Sequence, residues 1–121
     1  MSVFSEISSD NYVLEGEHFF IINDRFPVSP GQMLIISKNE KIDFFALDEE
    51  ERKELFDIIS QVKDLIKENY NPDGYNIGMN CGETAGQTVM HFHCHIIPRY
   101  KGDMDNPRGG IRHCVHGKGY Y

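Results

Sequence analysis

Apolar and polar positions alternate along this chain in a way that separates short extended segments from one long helix. His18 to Asn23 and Met33 to Ile36 are short apolar runs rich in β-branched and aromatic residues. Between them, Asp24 to Gly31 holds two prolines and a glycine, which reads as a connecting loop. Two strands joined in this way are expected to be antiparallel neighbours. From about Glu49 to about Asn69 the period changes. Leu55, Phe56, Ile58, Ile59, Val62, Leu65 and Ile66 recur at three- and four-residue spacing and predict one buried helical stripe. Asp48 is the expected N-cap, and Glu49, Glu50 and Glu51 set negative charge on the positive end of the helix dipole. That acidic run reads as a solvated helix face. Asn71, Pro72, Asp73 and Gly74 stop the helix. Tyr75 to Asn80 and Val89 to Ile97 read as further strands, separated by a turn-rich loop at Cys81 to Gly86. From about residue 99 the chain becomes an irregular, glycine-rich and locally basic tail, where Arg99, Lys101, Arg108, Arg112 and Lys118 outnumber Asp103 and Asp105.

Length and charge narrow the picture. The 121 residues fit one domain spanning 1–121 with a moderate core of its own. Twelve basic residues against 19 acidic ones give a net charge of −7, so bulk electrostatic binding to nucleic acid is not expected. No apolar run approaches the roughly 18 residues of a membrane span, and there is no signal-peptide pattern at the N-terminus. The three cysteines, Cys81, Cys94 and Cys114, cannot all pair within one chain, and none forms a CxxC. The expectation is a cytoplasmic protein with no membrane partner and no paired-cysteine zinc site.

The chemistry concentrates in His91-Phe92-His93-Cys94-His95-Ile96-Ile97-Pro98. Side chains alternate faces along a strand, so His91, His93 and His95 share one face while Phe92, Cys94 and Ile96 share the other. Three readings compete. Three ordinary packed histidines are one, but each buried imidazole needs hydrogen-bond partners. A metal site is another. The first and third histidines are about 13 Å apart along an extended strand, and nitrogen must approach zinc to about 2.0–2.1 Å. At most two of them reach one ion without distortion, the rest of the site coming from elsewhere. The third reading is catalysis at phosphorus. Neutral imidazole is a nucleophile near pH 7, and a neighbouring imidazole can serve the leaving oxygen. Gly86, Gln87 and Thr88, immediately before the row, offer amides, a carboxamide and a hydroxyl suited to phosphate oxygens.

These residues resemble the histidine triad (HIT) family of nucleotide hydrolases and transferases. The resemblance rests on the alternating histidine row, with Cys94 as an apolar member. It also rests on Asp24-Arg25-Phe26-Pro27-Val28-Ser29-Pro30-Gly31, on Gly74-Tyr75-Asn76-Ile77-Gly78-Met79-Asn80, and on Gly86-Gln87-Thr88-Val89. It runs from about Val3 to Asp103. It implies an α+β fold, an antiparallel five-stranded sheet with one long and one short helix, and a two-fold homodimer. By the same resemblance His93 is the nucleophile, His95 its partner at the phosphate and leaving group, and His91 an orienting residue. Asp24 is implied as the acceptor for ribose hydroxyls, and Asn80, Gln87 and Thr88 as phosphate contacts. Val3, Phe4, Ile7 and Ile22 are candidates for an apolar wall at the base, and equally for plain core.

Two departures from the family pattern stand out. Gln32 follows Pro30-Gly31 where many relatives carry a fourth histidine, and is expected as a nucleotide contact that can hydrogen-bond but cannot switch protonation. Phe4-Ser5-Glu6 stands where some bacterial relatives carry a zinc-binding cysteine pair, so no structural zinc and no cofactor are expected. Asn106-Pro107-Arg108-Gly109-Gly110 resembles tails of bacterial members described as diadenosine polyphosphate hydrolases. The expected activity is cleavage of dinucleoside polyphosphates or nucleoside phosphoramidates at the α-phosphorus through a nucleotidyl-His93 intermediate. The alternative is a non-catalytic nucleotide- or metal-binding regulatory module.

Overall fold

A computed structural model describes residues 2–121. Five strands form one sheet: β1 (Leu14–Glu15), β2 (Phe19–Asn23), β3 (Met33–Ser37), β4 (Gly74–Gly78) and β5 (His93–Arg99), in the order β1-β2-β3-β5-β4. Every neighbouring pair is antiparallel. One α-helix, α1 (Glu49–Tyr70), covers one face, and the shorter helical segments are 3₁₀ turns, among them Val3–Glu6, Phe44–Ala46 and Gly110–Cys114. Among the described residues no helix is long and apolar enough to cross a membrane.

Helix α1 starts where its sequence says it should. The Asp48 carboxylate accepts from the Glu51 backbone, and the Glu51 carboxylate accepts in return from the Asp48 backbone, 2.9 Å in each direction. Asn71, in the left-handed conformation at φ 50°, closes the other end by donating its N–H to the Lys67 carbonyl. Leu55, Ile58, Val62 and Ile66 are buried against Phe19, Ile21, Met33, Ile35, Cys94 and Ile96 of the sheet. Removing each such side chain from water is worth about 1.5–3 kcal/mol.

Two expectations about the helix are corrected. Phe56 is 71% exposed. It lies about 100° around the helix from Leu55, outside the stripe that Leu55, Ile58, Val62 and Ile66 share. Glu51 does not belong to a solvated face. It is fully buried, held by the capping box and by the Lys41 ammonium at 3.5 Å.

The register of the central strands decides what faces where. Cys94 pairs with Ile35 and Ile96 with Met33, and all four point to the helix side. His93 pairs with Ile36 and His95 with Leu34, on the opposite side. There Phe20, Leu34 and Ile36 form a second apolar cluster, flanked by Phe4, Ile7, Tyr12 and Ile22. The sheet therefore has a helix-covered face and a histidine-bearing face, and β3 is buried along its whole length between them.

Candidate functional site

The histidine row divides between a strand and its lead-in. The extended run predicted from Val89 begins only at His93 and continues to Arg99. The cause is local. The Phe92 N–H donates to the Lys41 carbonyl at 2.6 Å, outside the sheet ladder, while the Phe92 carbonyl accepts from Ser37. His91 thus lies just ahead of β5, fully buried, whereas His93 and His95 are half-buried. The row still converges, with the rings of His93 and His95 edge to face at 5.2 Å. Phe4 packs edge-on against His91 at 5.6 Å and against His93 at 4.9 Å.

Each imidazole has a defined partner, and the partners fix the tautomers. The Nε2 of His91 lies 2.7 Å from the Ser37 carbonyl oxygen. A carbonyl only accepts, so this nitrogen carries the proton. The Nδ1 of His91 lies 2.5 Å from the Ser2 hydroxyl, which donates to it. The Nδ1 of His93 lies 2.8 Å from the His91 carbonyl oxygen and must likewise be an N–H. In the neutral ring, the Nε2 of His93 therefore keeps a free lone pair. The Nδ1 of His95 faces the Gln32 carboxamide nitrogen at 3.4 Å. Burial, with His93 alongside, pushes the His95 pKa below its ordinary value, against the upward pull of Asp24.

Gln32, only 3% exposed, ends the β2–β3 loop directly before β3. Its carbonyl oxygen accepts from the Val28 N–H at 2.8 Å, and its nitrogen donates to the Asp24 carboxylate at 2.9 Å. The other Asp24 oxygen accepts from the Phe26 N–H at 2.9 Å. A carboxylate offers about four lone-pair directions, so Asp24 retains capacity for two more donors. Gly31 makes this loop possible. Its φ of 91° suits glycine, and a Cβ there would come within 2.8 Å of the Tyr70 ring.

The remaining predicted residues fall around the same edge. Asn80 is exposed, two residues past the Gly78–His95 ladder pair, so continuing the register sets it level with His93. Thr88 is exposed and lines a shallow groove with Ser2, Val3, Glu40, Val89 and Met90. Gln87 is buried, and its carboxamide is engaged at both ends. Its oxygen accepts from Gly82, and its nitrogen donates to the carbonyls of Ile42 and Val89. That geometry fits a brace for the loop before the row. Phe4, Ile7 and Ile22 pack on the apolar cluster beneath the histidines, while Val3 is largely exposed. Sequence reasoning missed Ser2 and Ser37, which orient His91 from distant positions, and Val28, whose backbone N–H orients Gln32 within the loop. Among the described residues no group of three or more His, Cys, Asp or Glu side chains is arranged to hold a metal ion.

The tail packs back on the sheet. Arg99 makes a two-pronged ion pair with Asp103, at 2.8 and 2.7 Å, and donates to Asn76 at 2.7 Å. The turn at Gly110–Cys114 lies against β4, with Gly110 beside Asn76 and Ile111 beside Gly78.

Comparison with known proteins places this geometry in context. The HIT domain family profile matches residues 6–102. A HIT-like protein of Mycoplasma genitalium is 38% identical over 72% of this chain, which spans 62% of that protein. The bis(5'-adenosyl)-triphosphatase of Dictyostelium discoideum is 36% identical over 73% of this chain and 58% of its own length. A crystal structure of a HIT family protein from Bacillus anthracis superimposes with a TM-score of 0.72 at 42% identity, covering 77% of this chain and 66% of that one. The chain thus spans about three fifths of the length of these two curated relatives.

Proposed function

The chain belongs to the HIT domain family, and from that premise we propose that it is a nucleotide phosphohydrolase or nucleotidyl transferase acting at the α-phosphorus of a nucleoside phosphate joined to a leaving group. The observation that carries this reading is the bond from the His93 Nδ1 to the His91 carbonyl. It leaves Nε2 as the one ring nitrogen of His93 able to attack. The name of the Dictyostelium relative adds support for a phosphate anhydride as substrate.

In the first step the His93 Nε2 lone pair forms a bond to phosphorus. The bond from phosphorus to the bridging oxygen breaks, and its electron pair leaves with that oxygen. His95, 5.2 Å away ring to ring, offers its Nε2–H to the departing group. The ring becomes an N-phosphorylated imidazolium, its Nδ1 proton still held by the His91 carbonyl. In the second step water attacks phosphorus, and the electron pair of the nitrogen–phosphorus bond returns to Nε2. The hydroxyl stays on phosphorus and one proton passes to solvent. Asp24 accepts from ribose hydroxyls, Asn80 and Thr88 contact phosphate oxygens, and the apolar cluster around Phe4, Ile7 and Ile22 receives the base. Gln87 supports the phosphate from behind by bracing its loop. No cofactor enters either step, and the working form is a two-fold homodimer in the cytoplasm.

The test is a turnover panel of dinucleoside polyphosphates and adenosine phosphoramidates, with rapid quenching and intact-mass analysis. The expected result is turnover together with a nucleotide adduct on His93. Tight nucleotide binding with neither adduct nor turnover would replace this reading with a non-catalytic nucleotide-binding module.

A further inference from the structure

We propose that Gln32 holds His95 as a neutral imidazole with its proton on Nε2, and that this fits the site to nucleotides whose leaving group departs as a phosphate anion rather than as an amine. The inference rests on the reading of His93 as nucleophile and narrows its substrate class. Gln32 acts through His95 and is a positioning residue.

The argument starts from the Val28 N–H. It can only donate, so the group 2.8 Å away must be the Gln32 carbonyl oxygen. That fixes which way the carboxamide points. Its nitrogen end then faces the Asp24 carboxylate at 2.9 Å and the His95 Nδ1 at 3.4 Å. The amide nitrogen has two N–H donors and accepts nothing, so each neighbour takes one. The His95 Nδ1 must present a lone pair, and the ring proton lies on Nε2. Adding a second proton at Nδ1 would set two N–H groups against each other. The titratable groups facing His95 are His93 on its own strand and Asp24 across the loop. Its ladder partners, Leu34 on β3 and Gly78 on β4, bring no charge. Burial and His93 lower its pKa against the attraction of Asp24, in the direction that favours the neutral ring.

A neutral Nε2–H can donate a hydrogen bond, but giving its proton away would leave an imidazolate. When a bridging oxygen–phosphorus bond breaks, the electron pair goes to a phosphate oxygen. That oxygen departs as a stable anion and needs only the hydrogen bond. When a nitrogen–phosphorus bond breaks, the nitrogen must acquire a proton to leave as an amine. A neutral His95 has none to give, so only the imidazolium form serves that reaction.

Two measurements test this on the whole chain. Nitrogen NMR of the imidazole rings, without substrate and near neutral pH, should find His95 with an unprotonated Nδ1 and a protonated Nε2. A proton on Nδ1 overturns the proposal. Kinetically, kcat/KM for a diadenosine polyphosphate should exceed that for adenosine phosphoramidate by about 10²-fold or more. Gln32→Glu supplies an acceptor to Nδ1, favours the imidazolium, and should narrow that ratio by at least about tenfold. Gln32→Met removes the donor without adding charge and should give a mixture of His95 tautomers. Equal use of the two substrates by the unaltered protein overturns the selectivity. If neither substrate turns over while the NMR is as expected, the tautomer assignment stands and the nucleotidyl-transfer reading falls.

Discussion

His93 donates its Nδ1–H to the backbone carbonyl of His91, 2.8 Å away, and this one bond decides which nitrogen of the neutral ring keeps a free lone pair. Because the acceptor is main chain, it survives replacement of the His91 side chain. Aiming the proposed nucleophile is thereby separated from packing the His91 side chain.

Removing the proposed nucleophile should abolish activity almost completely. His93→Ala is expected to lower turnover by about 10⁴-fold or more and to abolish the nucleotide adduct, the scale found when a covalent nucleophile is removed. Its circular dichroism should match that of the parent, since the ring is half-buried on the face away from the helix. Near-normal turnover in this variant would refute the assignment.

The proposed sugar contact at Asp24 can be tested in the same way. Its two oxygens already accept from Phe26 and Gln32, and a ribose diol would add two charge-assisted bonds worth roughly 1.5–3 kcal/mol each. Removing the 2′-hydroxyl should therefore reduce kcat/KM by about 10- to 100-fold. Asp24→Ala should erase most of the difference. Equal handling of ribose and deoxyribose by the parent protein would move Asp24 out of the sugar site.

Stability should respond to the depressed pKa of His95. In the unfolded chain its imidazole binds a proton near pH 6.5, but the fold resists that proton. The unfolded state thus binds more protons as pH falls, so the His95 contribution is complete above the unfolded pKa and is lost as pH drops toward the folded one. Urea midpoints measured from about pH 7 down to about pH 5 should fall more steeply for the parent than for His95→Gln. Parallel curves would show that His95 titrates alike in both states.

Thiol chemistry reports the parity of the same strand. Burial pushes the Cys94 thiol up to about 12, while Cys81 is partly accessible and Cys114 exposed. A thiol reagent applied to the native protein near pH 8 should modify Cys81 and Cys114 and spare Cys94 until the chain is denatured. Modification of Cys94 at the rate of Cys114 would contradict its place in the core.

Chelation should leave activity unchanged. One nitrogen of His91 and one of His93 are committed to carbonyl oxygens, at 2.7 and 2.8 Å, and cannot also bind a cation. Turnover after exhaustive treatment with a chelator is the measurement, and loss restored by stoichiometric zinc would overturn the expectation.

What could be read from the sequence follows the range of the interactions involved. The strands around Phe19–Asn23 and Met33–Ser37 and the helix ending at Tyr70 are repeated local patterns, and each was legible to within a residue or two. Strand β1 has only Leu14 and Glu15, too short for any period to show. Phe56 was misplaced because counting three- and four-residue spacings admits residues at the margin of a stripe. Glu51 was misplaced because its burial depends on Lys41, which comes from outside the helix. Within the site, His93 and His95 were visible as an alternating pair. The partners that give them direction are mostly distant or main-chain groups, and so are those of their neighbours. Ser2 reaches His91 across 89 positions, and Gln87 reaches the Ile42 carbonyl across 45. No composition or spacing encodes such meetings.

The two-faced strand β5 also bears on how a gene for this protein can change. Cys94 and Ile96 fill the core while His93 and His95 line the opposite side, so the strand carries two interleaved sets of residues in one reading order. A base change that swaps one residue touches one set. An in-frame loss or gain of a single codon between His93 and His95 shifts every later residue by one place and exchanges the sets. It turns His95 toward the helix and an apolar residue toward the histidine face. Variation in this segment should therefore proceed by substitution, and length changes should be confined to the loops on either side of it.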